Sequence, residues 1–409
     1  MSAEATAADA GFAPDDLAFI ADPYPAYEEL RRGRPVCYDD ATDHWLITRH
    51  ADVNALLRDR RFGRTYLHLA THEEMGHPDP PAWHEPFWTL INAGILDMEG
   101  ADHARVRRLV SKAFTPAYVE GLRPRVAVIV DGLVDAIDSA GDVDLLPTFA
   151  EPLPVTVIAE MLGVPEPDRH LLRPWSADIC KMYELHPSLD AQRASVRASA
   201  EFSDYLRALA RDRARTPGDD LISELAAVVD EGERLTEDEL IGTCVLLLNA
   251  GHEATVNATL LGWWSLFRHP DQLELLRADH ALIPSAVEEL LRFDTPLQLF
   301  ERWVLEDVEL RGVRIPRGAE LGLVFGSANR DPEVFPEPDA LDLMREPNPH
   351  LTFGAGVHFC LGAPLGRLEL QTSFRALLER APRIELVEEP RWKPNYIIRG
   401  LEGLRVRLR

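Results

Sequence analysis

The sequence predicts a mainly α fold with small β-sheets, and three observations carry that reading. One interior stretch, 236–268, is apolar nearly all round over 33 residues, roughly 50 Å of helix. Several shorter stretches repeat apolar residues at helical spacing. Only a few short segments alternate with period two. At 409 residues, 46% of them hydrophobic, the chain can bury a large core and enclose a cofactor within it.

Residues 1–15 read as a loose tail, and 16–409 as a single domain without repeat or linker. "PAYEELRRG", "ADVNALLRD" and "RPRVAVIVDGLVDAIDSAG" follow as helices that end near glycine or a polar break. "VCYDDATDHWLITR", "DVELRGVRIPRGAELGLVFG" and the C-terminal "NYIIRGLEGLRVRLR" read as strands with tight turns. Residues 62–97 read as irregular. Their histidines, His68 and His72 among them, suggest a polar surface loop rather than a metal site, because no third ligand follows at a useful spacing.

The net charge of -25 disfavours nucleic acid and anionic membranes as partners. Four scattered cysteines, Cys37, Cys180, Cys244 and Cys360, give no CxxC pair and fit a reducing cytoplasm. The acidic N-terminus is neither a signal peptide nor an anchor, and no stretch reaches the roughly 20 apolar residues of a membrane span.

The long helix starts with a capping box, Thr236 with Glu239, and stops at His269-Pro270. Its middle, "NAGHEAT", places Asn249, Gly251, His252 and Glu253 in an otherwise apolar run. A buried acid is costly unless paired or functional. The patch therefore either faces a neighbouring helix or water, or serves chemistry, and a bulge at Gly251 would make room for a ligand. In "SAVEELLRF", Glu289 and Arg292 stand three apart on a largely apolar helix, with Arg345 a candidate partner; they read as scaffold.

"HLTFGAGVHFCLGAPLGRLEL" carries Cys360 between a glycine-rich run and a helix start. A thiolate is a strong iron ligand, and the helix N-terminus behind it would stabilise a negative sulfur. Gly354 and Gly356 let backbone pass close to a flat group, while Phe353, Phe359 and Leu361 would shield the sulfur. These features converge on an axial thiolate to haem iron; a core cysteine ahead of a helix is the other account.

"FGAGVHFCLG" resembles the haem-ligand signature of the cytochrome P450 superfamily, the haem-thiolate monooxygenases. "EELLR" and "AGHEAT" resemble the family's Glu-x-x-Arg and oxygen-binding motifs, and "DHARVRRLVSKAFT", "ERWVLEDVEL" and "ANRDPEVFPEPDAL" follow the family's order. The resemblance runs from about "DPYPAYEELR" to the end and is to the soluble bacterial type. It implies the P450 fold, with haem b between the long central helix and the cysteine loop. Cys360 would ligate the iron, with Phe353, Gly354 and Gly362 around it. His103, Arg107, Arg302 and His358 would meet the propionates, and Glu289, Arg292 and Arg345 would form the structural triad. Ala250, Ala254, Leu297, Phe300 and Ile398, with residues from 85–95 and 175–190, would line a pocket for a small hydrophobic substrate.

The implied reaction puts one oxygen of O₂ into a C–H bond, with electrons from NAD(P)H through a reductase and a ferredoxin. Arg105, Arg107, Arg108 and Lys112 suggest a basic docking face. The chain departs from the family where the acid is usually followed directly by threonine. Here Glu253 is followed by Ala254, and Thr255 comes about 100° further round the helix. A substrate hydroxyl with ordered water would replace the missing group, or a helix distortion would bring Thr255 in. The departure keeps a peroxide-driven oxygenase or rearrangement enzyme as an alternative. A non-catalytic haem-thiolate binding protein is the alternative from another class, and the acid Glu253 argues against it.

Overall fold

The computed structural model describes residues 7–137 and 141–408. Helices dominate, and the longest, Glu237–Arg268, runs through the largest hydrophobic cluster. Its start is the capping box: the Thr236 hydroxyl accepts from Glu239 N–H at 3.2 Å, and the Glu239 carboxylate accepts from Thr236 N–H at 2.8 Å. Three acids in the first turn complement the helix dipole. Helices Pro152–Met161, Leu172–Cys180, Leu189–Arg215, Ile283–Phe293 and Ala363–Arg380 pack around it. The bulge expected at Gly251 is not there, for the helix is regular throughout. The glycine instead admits helix Pro152–Met161, since an added Cβ would sit 3.3 Å from Ile158 Cδ1.

The main sheet has the order β1 (Val36–Asp39), β2 (His44–Ile47), β8 (Glu320–Val324), β5 (Leu299–Val304), β3 (Phe62–Gly63). β2 and β8 run parallel, with His44 opposite Glu320; the other pairs are antiparallel. A second sheet joins β4 (Asp142–Asp144), β10 (Arg405–Arg407) and β9 (Glu385–Leu386). β6 (Val308–Leu310) and β7 (Val313–Ile315) form the hairpin read from "VELRGVRI", turning on Arg311 and Gly312, both at positive φ.

Two expectations about irregular chain are corrected. Within 62–97, Glu85–Asn92 is a helix that buries Phe87 and Leu90, and His72 and His77 bond Tyr66 and the Gly318 carbonyl. Of the expected tail 1–15, residues 1–6 lie outside the described residues, and 7–15 pack against the rest of the fold. Ala7 and Phe12 are buried, and Phe12 meets Tyr396 edge-on. Tyr27 ties this cluster to the C-terminal segment, its hydroxyl donating to Gln298 Oε1 at 3.0 Å and sharing a 2.9 Å hydrogen bond with the Tyr396 hydroxyl. Burial of two apolar residues outweighs the polar character of the neighbours.

Candidate active site

The cysteine loop is built by two tight turns and a helix start. Gly354 and Gly356 adopt φ of 67° and 72°, and a side chain on Gly356 would fall 2.2 Å from the Leu57 carbonyl oxygen. Cys360 N–H donates to the Phe353 carbonyl at 2.9 Å and closes the loop. Gly362 is the N-cap of helix Ala363–Arg380. Burial pushes the Cys360 thiol up, while the N–H groups of Gly362 and Ala363 and the cations Arg107 and Arg367 pull it down. Arg367 lies 4.4 Å over the Phe353 ring and grips Glu288 with two bonds of 2.7 Å. Phe359 is not a fully buried cover over the loop. It is 41% exposed beside the exposed Val357, so both face outward.

The expected anion donors gather near this loop. The His103 and His358 rings lie 4.2 Å apart. His358 Nε2 bonds Glu99 at 3.0 Å, and Glu99 also accepts from Arg64 N–H. Burial would raise the Glu99 carboxyl, but these bonds hold it below its ordinary value. Burial, with His358 beside it, lowers His103 to about 4. Arg302 is buried over the Phe300 ring, and burial together with Arg64 pushes its guanidinium down to about 9. His103 Nε2, Arg302 Nη2 and Arg64 Nε are buried with no hydrogen-bond partner. Buried donors of this kind cost stability unless an anion meets them. Together with a sulfur held by helix N–H groups, they fit a haem with its propionates. Arg107 is placed differently: its Nη2 donates to the Phe359 carbonyl at 2.6 Å, on the cysteine side.

The central helix supplies the facing wall. Between 240 and 266, only Leu246, Leu247, Ala250, Gly251, Glu253 and Ala254 are not buried. At about 100° per residue these six fall within an arc of about 160°, with Ala250 and Ala254 near its middle. Thr255 is buried, about 40° beyond the Gly251 edge of that arc. The helix is undistorted here, so no distortion brings the Thr255 hydroxyl round. Glu253 is half-buried, its carboxylate 3.7 Å from His252 Nδ1, and His252 in turn meets Ser176 at 3.4 Å.

Leu297 and Ile398 pair as an isolated bridge, and both are half-buried. Phe300 differs from the plain apolar wall expected. It is held between the guanidinium groups of Arg64 and Arg302, at 4.6 and 4.7 Å. A residue missed by sequence reasoning, Glu184, accepts from the N–H groups of Tyr396, Ile397 and Ile398. It thereby joins 175–190 to the pocket segment. A cleft of about 180 Å³ lies elsewhere, between helix Glu85–Asn92, Asp204 and Asp238, about three helical turns from Ala250.

The basic docking face is corrected. Arg105 pairs with Glu239, Arg108 with Asp230 and Glu233, and Lys112 with Asp230. Acids from a distant stretch cancel the charge that looks free in the sequence.

Behind the loop, Glu289 is fully buried. Arg292 donates two bonds of 2.7 Å to it, and Arg345 Nε reaches both of its oxygens at 3.1 Å. Asp342 N–H and Asn348 Nδ2 complete the shell.

The family model described as Cytochrome P450 matches residues 170–382. The chain is 43% identical to cytochrome P450 monooxygenase PikC of Streptomyces venezuelae, covering 96% of this chain and 92% of that protein. It is 42% identical to nocardicin C N-oxygenase of Nocardia uniformis subsp. tsuyamanensis, covering 93% and 94%. Among solved structures, P450BioI in complex with an acyl carrier protein superposes with a TM-score of 0.90 at 35% identity, covering 96% of this chain and 99% of that one.

Proposed function

From the premise that the chain belongs to the cytochrome P450 family, a haem-thiolate monooxygenase of bacterial type, we propose its substrate and its proton path. The substrate is a largely hydrophobic secondary metabolite with a polar group near the carbon that is oxidised. One observation carries this reading: the open face of the central helix presents Ala250, Ala254 and Glu253, while Thr255, one residue's rotation on, is buried outside it. Relatives named for PikC, nocardicin C and polyketide biosynthesis support a secondary metabolite as the class.

Haem b, when bound, supplies thiolate-ligated iron that activates O₂ with two electrons delivered singly. The chain's own residues do the rest. Burial raises the Cys360 thiol, and Gly362, Ala363 and Arg107 counter part of that, so they would favour the thiolate once iron is bound. His103 and Arg302, each with a buried nitrogen that lacks a partner, would receive the propionates, with His358 beside them. Ala250 and Ala254 leave room above, and Leu297 and Ile398 close the side. Glu253 passes protons inward, and the substrate's polar group with a water stands where threonine would be. No helix of the described residues is long and apolar enough to cross a membrane, and we place the enzyme in the cytoplasm. Electrons come from NAD(P)H through a reductase and a ferredoxin. The exposed Val357 and Phe359 offer the donor an apolar contact beside Cys360.

Turnover is tested with a reductase–ferredoxin pair, NAD(P)H and labelled dioxygen. The expected result is substrate-dependent NAD(P)H oxidation and one labelled oxygen in the product. Product formed with peroxide alone, and none with the electron chain, would favour the peroxide-driven reading that the missing threonine allows.

Ala254→Thr tests the proton path. On a purely apolar ligand it should raise the product formed per NAD(P)H severalfold, with the ligand's position unchanged. Full coupling of the native enzyme on such a ligand would refute the substrate-assisted path.

A further inference from the structure

The main sheet brings together three side chains that the haem chemistry does not use. His44 on β2 stands opposite Glu320 on β8, and Trp303 on β5 is the other neighbour of Glu320. Glu301 is two residues from Trp303, so strand alternation puts it on the same face. One ligand atom from each of His44, Glu301 and Glu320 lies within 4.8 Å of the others.

The imidazole settles what the cluster lacks. His44 is 6% exposed, and its Nδ1 meets the Thr42 carbonyl at 2.5 Å, so Nδ1 carries a hydrogen. Nε2 is buried without a hydrogen-bond partner and faces Glu320 Oε2 at 3.6 Å and Glu301 Oε1 at 3.9 Å. These gaps are too long for hydrogen bonds. They are close to the roughly 3.3–3.6 Å that separates ligands around one tetrahedral ion with bonds of about 2.0–2.2 Å. A backbone carbonyl that fixes the other ring nitrogen is also the usual second contact of a metal-bound histidine. Arg64 lies 3.7 Å from the second oxygen of Glu301, but Asp97 pairs it at 3.1 Å, and Asp43 adds negative charge near Glu320. Both glutamates are partly exposed, which gives an ion a way in.

We propose that His44, Glu301 and Glu320 bind one divalent transition-metal ion of the zinc class, with water as the fourth ligand. The ion clips β2, β8 and β5 together just behind Arg302.

The test uses the haem-loaded enzyme, stripped with a chelator and titrated with Zn²⁺ by calorimetry. One ion per chain is expected, with a rise in Tm. Glu320→Gln and His44→Ala should each weaken binding by at least about tenfold while the carbonyl spectrum of the reduced haem is retained. Should His44→Ala fail to fold, the near-isosteric Glu320→Gln still decides. The proposal is overturned if the stripped enzyme takes up no stoichiometric zinc, or if Glu301→Gln with Glu320→Gln leaves the affinity unchanged. In the latter case the ion sits on exposed histidines.

Discussion

Replacing Cys360 with serine will leave a folded protein whose reduced carbonyl complex lacks the red-shifted Soret band of a thiolate ligand, and whose oxygenase turnover falls by at least about a thousandfold, about 4 kcal/mol of barrier. The loop geometry rests on Gly354, Gly356 and the Cys360 N–H, none of which the change touches. What is lost is the anion. The N–H groups of Gly362 and Ala363, with Arg107 and Arg367, offset only part of the burial that raises this thiol, but a thiol's ordinary value lies far below that of an alcohol, so iron can still draw out the thiolate. A serine there stays protonated and donates little electron density to iron. A variant that kept the band would show that the sulfur is not the ligand.

The second large effect lies behind the loop. Glu289→Ala removes the acceptor shared by Arg292, Arg345, Asp342 N–H and Asn348. Arg292 keeps the carbonyls of Asn329, Pro338 and Ala340, yet its charge stays buried without a counter-ion. Breaking such a pair from one side costs about 3–5 kcal/mol, a large share of the roughly 5–15 kcal/mol that holds a protein folded. The variant should accumulate poorly and lose haem on mild heating, with Glu289→Gln in between. An alanine variant melting within a degree or two of the parent would show that the arginines find other partners.

Much of this was legible because its determinants are local. The capping box, the Arg311-Gly312 hairpin and the glycines before Cys360 are set by neighbours within a few residues. The misreadings share a different cause. Arg105, Arg108 and Lys112 looked like a free basic face because Asp230, Glu233 and Glu239 lie more than a hundred positions away. Gly251 suggested a bulge because Ile158, the side chain it admits, belongs to another helix. His44, Glu301 and Glu320 meet only through strand order, and Glu184 finds its three N–H donors on the C-terminal segment.

The packing of Phe12 and Tyr27 against Tyr396 couples the beginning of the described chain to Ile398, two residues on, which we have proposed as a wall of the substrate pocket. Evolution can therefore retune ligand preference in this lineage through drift near the start of the gene, without altering any pocket-lining position. Selectivity transplanted between relatives by swapping wall residues alone will arrive incomplete unless the aromatic brace travels with it.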